Sequence, residues 1–194
     1  MIRVLPTLLL VVGLASQLAQ ALEEPEGYRT ELYDDTVPDT LTGAVRIGAL
    51  EVLQLQQEEN AVVVDVVPEQ RQPDELPQGQ IWMPVPHKGI AGAIWLPDVG
   101  FGVLSETTES YFRGRLRAAT DGQLARAVVF YCRADCWMSW NAAKRALTFG
   151  YTRVYWFADG IDDWRFEGLE VEVLKPAPGQ RQAEQADPAA LHSR

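Results

Sequence analysis

The chain has 194 residues, 47% of them hydrophobic, which fits one domain of ordinary size with a real core. Its formal net charge is −10 and its basic residues are not clustered, so nucleic acid and anionic membrane surfaces are poor partners. Two cysteines and two histidines, with neither His87 nor His192 beside the cysteines, do not make a zinc site. No Cys-x-x-Cys-His run offers haem attachment, so neither a metal nor a covalently bound cofactor is expected.

Residues 1–21 read as a secretory signal peptide. Arg3 precedes the apolar run 8–15, and Ala19-Gln20-Ala21 supplies small residues for cleavage after Ala21. The apolar run is short for a bilayer core of about 30 Å, so no stable membrane span is expected after cleavage, and the mature protein is expected in the periplasm. Residues 22–40 are acidic, polar and turn-rich, an exposed, extended lead-in. Over 41–57 the apolar residues Val45, Ile47, Leu50, Val52, Leu53 and Leu55 predict an amphipathic helix that Asn60 ends. The β-branched run 61–67 predicts a strand covered on both faces. Proline-punctuated loops are expected over 70–80 and 84–89, and a brief strand at 94–97 stopped by Pro97. A helix follows over 106–119, carrying Tyr111, Phe112 and Leu116. Residues 127–131 then form a strand, 132–137 a cysteine loop, and 138–147 a helix closed by Gly150. A strand over 152–157, a turn or short helix over 159–164 and a last strand over 169–174 complete the order. The tail 176–194, rich in Pro, Ala and Gln, reads as disordered. Strands alternating with helices across 41–175 predict an α/β domain with a central, mostly parallel sheet flanked by helices. No internal repeat is visible.

The chemistry is concentrated in Tyr131-Cys132-Arg133-Ala134-Asp135-Cys136-Trp137, which holds both cysteines four positions apart. A buried strand delivers Cys132 to a loop that opens a helix, where backbone N–H groups and the helix dipole favour an anion. A thiolate is such an anion, so this position lowers a cysteine's pKa and raises its reactivity. A stabilising disulfide is the plainer use of two cysteines in an exported protein. A bridge across so few residues removes little unfolded-state entropy, which favours a reactive or redox-active pair. Cys132 as an inert core thiol, and Cys136 as a neighbour that only packs, stay open. Trp137 and Trp140 serve either as core and rim aromatics or as a partner's docking point. His87 is a candidate base near Cys132, and Asp65 a residue that orders the sheet end through hydrogen bonds. Asp159, Asp162 and Asp163 lack the full calcium-loop pattern and read as a solvated turn.

Three further segments resemble the rhodanese homology domain over about 41–174: Val63-Val64-Asp65-Val66, Ile90-Ala91-Gly92-Ala93-Ile94-Trp95-Leu96-Pro97, and Gly150-Tyr151-Thr152-Arg153-Val154-Tyr155 followed by Gly160-Ile161-Asp162-Asp163-Trp164. The resemblance implies a rhodanese-like fold, with Cys132 as the nucleophile that carries a persulfide. Arg133, Ala134, Asp135 and Trp137 would complete the substrate-binding loop. Its six-residue length is that of sulfurtransferases rather than of related phosphatases, whose loop is one residue longer. Two departures are visible: Val67 stands where an arginine is common, and Gly89 where a histidine is usual, which puts a structural ion pair in doubt. Within the loop Arg133 attracts an anionic donor and Asp135 opposes it.

A narrower resemblance is to the PQQ-dependent catabolism-associated CXXCW motif proteins. It rests on the signal peptide, Gly27-Tyr28-Arg29, the Val37-Pro38-Asp39-Thr40-Leu41 segment, and Cys136-Trp137 followed by Met138-Ser139-Trp140-Asn141-Ala142-Ala143-Lys144-Arg145. Three residues separate the cysteines here, one more than that family's label states. The resemblance implies an exported protein serving alcohol oxidation by pyrroloquinoline-quinone dehydrogenases, linked to PQQ only indirectly. Cys132 would perform sulfur transfer or thiol–disulfide exchange on a sulfane-sulfur or disulfide substrate, with Cys136 resolving. The alternative is a non-catalytic binding or maturation factor for a periplasmic PQQ dehydrogenase, its cytochrome or a cofactor.

Overall fold

The computed structural model describes residues 22–73 and 75–179. The expected signal peptide, and the expected disordered tail from residue 180 onward, lie outside the described residues. Among the described residues no helix is long and apolar enough to cross a membrane.

Five parallel strands form the central sheet: β1 (Val45–Arg46), β2 (Val62–Asp65), β4 (Ile94–Trp95), β5 (Val128–Tyr131) and β6 (Val154–Phe157), in the order β1-β6-β5-β2-β4. Strands β3 (Lys88–Ile90) and β7 (Val171–Val173) form a separate antiparallel pair. Helices α1 (Ala49–Glu59) and α4 (Gly160–Phe166) pack on one face of the sheet, and α2 (Glu106–Ala119) and α3 (Trp137–Thr148) on the other. The period of two along each strand makes this possible. Val62, Val64, Val128, Phe130, Val154 and Trp156 point into the larger core beneath α2 and α3. Val63, Val129, Tyr131 and Phe157 point the other way, toward Val52, Ile161 and Trp164. Central strands β2 and β5 are buried at every position, as their unbroken apolar runs require.

Sequence and structure agree on β2, β5 and α2, the last with its Ser105 side chain accepting the Thr108 N–H at 3.1 Å as an N-cap. The helix expected over 41–57 starts only at Ala49. Gly43 takes a left-handed φ of +89°, and Val45–Arg46 pairs with Tyr155–Trp156 as an edge strand instead. Helix α1 then begins where Glu51 reaches back to accept the Gly48 N–H at 2.9 Å. The expected loop over 84–89 gives way to β3 at Lys88, because β7 supplies a partner that no local pattern reveals. Residues 176–179 begin the expected tail but lie along the molecule, with Ala177 N–H donating to Trp95 O at 2.9 Å.

Residues 22–40 are mostly exposed, as expected of a lead-in, but the segment is not free: it buries Tyr33 and Val37 in the core and wraps the start of α3. Buried Asn141 anchors it, accepting the Arg29 N–H at 2.9 Å and donating to Arg29 O at 2.8 Å. Tyr33, Asp34 and Asp35 then run antiparallel against the cysteine loop, with Asp34 bridged to Cys136.

Candidate functional site

The cysteine loop leaves the C-terminal end of β5 and opens α3, as the strand–loop–helix pattern predicts. Cys132 and Cys136 are joined in a disulfide, with Cα atoms 6.1 Å apart. Their relative exposures are 0% and 1%. The expected accessible thiolate is therefore replaced by a bonded, sealed pair. Two of the loop amides expected to hold an anion are also engaged. Ala134 N–H donates to Asp162 Oδ2 at 3.0 Å, and Trp137 N–H to Tyr33 O at 2.8 Å. The carbonyl of Asp135, a residue at φ +50°, accepts the Asp35 N–H at 2.9 Å, and that of Cys132 accepts the Ile161 N–H at 2.9 Å. Gly160 makes the last contact possible, since a Cβ at its φ of +56° would collide with the Cys132 carbonyl.

The remaining loop side chains take different roles. Arg133 points outward and pairs with Asp34 at 2.8 Å, both side chains being more than half exposed. Trp137 is buried, donates from Nε1 to Thr36 O at 3.1 Å and meets Trp140 edge to face. The two tryptophans thus fix the lead-in to α3, Trp140 donating to Thr40 O at 3.2 Å. Asp162 belongs to the acidic turn that reads as solvated in sequence, yet it caps the cysteine loop from 28 residues away.

A second polar centre stands at the same sheet end. Asp65 is fully buried at the end of β2. Its Oδ1 accepts the Val67 N–H at 2.9 Å, and its Oδ2 accepts the Tyr131 hydroxyl at 2.7 Å and meets His87 Nε2 at 2.8 Å. The Tyr131 oxygen in turn accepts the Ile90 N–H at 2.9 Å. Burial first, then the Asp65 charge, pushes the Tyr131 phenol well above its ordinary value of 10.0, so it stays a donor. A carboxylate only accepts, which puts a proton on His87 Nε2 and turns Nδ1 away from Asp65. The imidazole also stacks on Trp95, ring centroids 4.2 Å apart. This network explains the glycine at 89, where a Cβ would come within 2.6 Å of both Asp65 Oδ2 and the Tyr131 hydroxyl. The Asp65 partnership put in doubt by the departures at Val67 and Gly89 is supplied by His87, two residues upstream of that glycine.

His87 lines an open cavity of about 760 Å³ beyond the ends of β2 and β4. Trp82, Trp95 and Arg71 line it, as do Arg133 of the cysteine loop and its partner Asp34. The lining residues at 68–72 and 82–87 show in sequence only around proline-punctuated loops, so Trp82 and Arg71 carried no signal there.

The Rhodanese-like domain family matches residues 49–167. Similar solved structures include a full-length protein from Lactobacillus plantarum, 21% identical over 67% of this chain and 88% of that one, with a TM-score of 0.44. A thiosulfate sulfurtransferase from Pseudomonas aeruginosa is 18% identical over 76% of this chain and 23% of that one, at a TM-score of 0.48. A polysulfide-sulfur transferase homodimer from Wolinella succinogenes is 17% identical over 74% and 82%, at 0.41. No curated protein matches. The family match covers more than half of the sequence and includes both cysteines and Asp65, so the chain belongs to the rhodanese-like domain family.

Proposed function

We propose that this is an exported rhodanese-like protein whose Cys132–Cys136 pair performs sulfur transfer or thiol–disulfide chemistry in support of PQQ-dependent alcohol oxidation in the periplasm. The observation that carries the reading is the bond between the two loop cysteines, at the end of the central strand of a rhodanese-like sheet. A bridge there gives the loop an oxidised resting state that a thiol donor can open. In the reduced state the Cys132 thiolate attacks sulfane sulfur, for example the outer sulfur of thiosulfate, forming a persulfide and releasing sulfite. The Cys136 thiolate then attacks the inner sulfur, the persulfide bond breaks, hydrosulfide leaves and the disulfide re-forms. A dithiol donor outside the cytoplasm must then return two electrons. The link to PQQ dehydrogenases rests on the resemblance to the CXXCW motif proteins alone.

Replacing Cys132 by serine in the secreted protein tests this. Loss of sulfide release from thiosulfate and of support for PQQ-dependent alcohol oxidation is expected, with folding and secretion retained. Full support of alcohol oxidation by Cys132→Ser would instead favour a binding or maturation factor. The burial of both cysteines and the large cavity beside them lend that second reading its weight.

A further inference from the structure

The rhodanese-like match begins at residue 49, yet the cysteine loop within it is overlaid by a segment from residues 22–40. Trp137 N–H, the first amide of α3, donates to Tyr33 O at 2.8 Å, and Asp35 N–H donates to Asp135 O at 2.9 Å. Between these two bonds Asp34 stands opposite Cys136 in an antiparallel bridge. Residues paired in that way put their side chains on one face, with Cβ atoms about 4.5–5.5 Å apart. The Asp34 side chain is 62% exposed and Cys136 only 1%, so Asp34 stands on the solvent side of Cys136. The hold on this segment is uneven. Tyr33 is buried, its hydroxyl accepting the Gly102 N–H at 3.1 Å and its ring meeting Phe101 edge to face, and Val37 is buried too. Most of the residues around them are exposed, and the ion pairs Arg29–Asp35 and Arg133–Asp34 lie at the surface, where such pairs hold little. A segment with few buried contacts opens more readily than the core it lies on.

Resting on the reading of the cysteine pair as reactive, we infer that residues 22–40 are an autoinhibitory strap, and that the cysteine loop becomes competent when the strap lifts. Lifting does two things at once. It takes Asp34 away from Cys136, and it frees the Trp137 N–H from the Tyr33 carbonyl, returning to the loop an amide that an anion can use. Docked, the strap covers one cysteine and fills that amide, so the bridge rests sealed. The sheet does not depend on the strap for its pairing, because β5 lies between β2 and β6. The family's fold and its closed loop are thereby reconciled: the domain supplies the cysteines, and a segment outside the family match controls access to them.

The test follows the oxidised, folded protein in dithiothreitol near pH 8, without denaturant. One thiolate of the reagent opens the bridge to a mixed disulfide and its second closes the reagent's own ring, so the bridge gains the two electrons that the reagent loses. Reduction is read by alkylation and intact mass, and strap lifting by hydrogen exchange over residues 27–40. Tyr33→Ala removes the buried ring, and Tyr33→Phe removes only the acceptor of the Gly102 N–H, which keeps the test usable if the first variant does not fold. Val52→Ala weakens the core on the opposite face of the sheet and is the control. Reduction and strap exchange should rise together, at least about tenfold in Tyr33→Ala, well within what truncating a buried aromatic ring costs, and by a smaller factor in Tyr33→Phe. Val52→Ala should leave reduction unchanged. A bridge reduced as fast in Val52→Ala as in Tyr33→Ala opens only with the whole domain, and faster strap exchange without faster reduction means the strap is no cover. Either result overturns the inference and leaves the reading of the pair to Cys132→Ser. If reduction follows the strap but the reduced protein neither releases sulfide from thiosulfate nor reduces oxidised glutathione, the reading of the pair as reactive fails while the strap stands as its cover.

Discussion

Two neighbouring parts of one sheet end have been built in opposite ways. The cysteine loop after β5 holds both cysteines, yet their sulfurs are bonded and buried and two of its amides are filled by Tyr33 and Asp162. The cavity after β2 and β4 has no cysteine in its wall, yet it is open and carries a histidine held by a buried carboxylate. The bonded cysteines and the open cavity are thus separate features of one sheet end, with Arg133, next to Cys132, and its partner Asp34 in the cavity lining. Burial and the bridge guard both cysteines from irreversible oxidation.

The comparison breaks first at Gly160. Gly160→Ala forces a Cβ into the Cys132 carbonyl at a left-handed φ, and should cost at least about 2 kcal/mol in urea unfolding. A smaller loss would mean that the closed loop is held less tightly than its contacts imply. Tyr131→Phe tests the other side. It leaves the Ile90 N–H without its acceptor and Asp65 with one donor fewer, for an expected loss of about 1–3 kcal/mol.

The same residue sets an alkaline limit. The Tyr131 phenol is raised in the folded state, so above about pH 10 the unfolded chain releases a proton that the native protein keeps. Tyr131 therefore contributes stability that is intact below pH 10 and is lost as pH rises beyond it. Denaturant titrations from pH 8 to 11 should show that decline in the wild type and a shallower one in Tyr131→Phe. Identical slopes would remove Tyr131 from the network. The smallest expected effect is that of Asp34→Ala, which should cost under about 1 kcal/mol because the ion pair is exposed. It should nevertheless speed reduction of the bridge, because Asp34 lies against the cysteine loop, and an unchanged rate would show that this contact does not shield it.

The sheet and its flanking helices were legible because their signals are local. β-branched runs mark β2 and β5, and α2 carries Tyr111, Phe112 and Leu116 on one apolar face. The cysteine loop was legible for the same reason, as six consecutive residues. What was hidden depends on distant partners. Tyr33 and Val37 are isolated apolar residues in an acidic stretch, and their burial follows from the shape of α3 rather than from any period. Asp162 reads as one of several acidic turn residues until the fold brings it to Ala134. The His87–Asp65 contact spans 22 residues of proline-rich loop, and Gly89 pointed to it only as an unexplained departure.

The state and reactivity of the cysteine pair, on which both proposals rest, can be read in one measurement: alkylation of the folded, purified protein before and after treatment with a mild thiol, followed by intact mass. No alkyl group before treatment and two afterwards, without loss of the native near-UV signal, is the expected result. Two free thiols at the outset, or a bridge that yields only in denaturant, would contradict it.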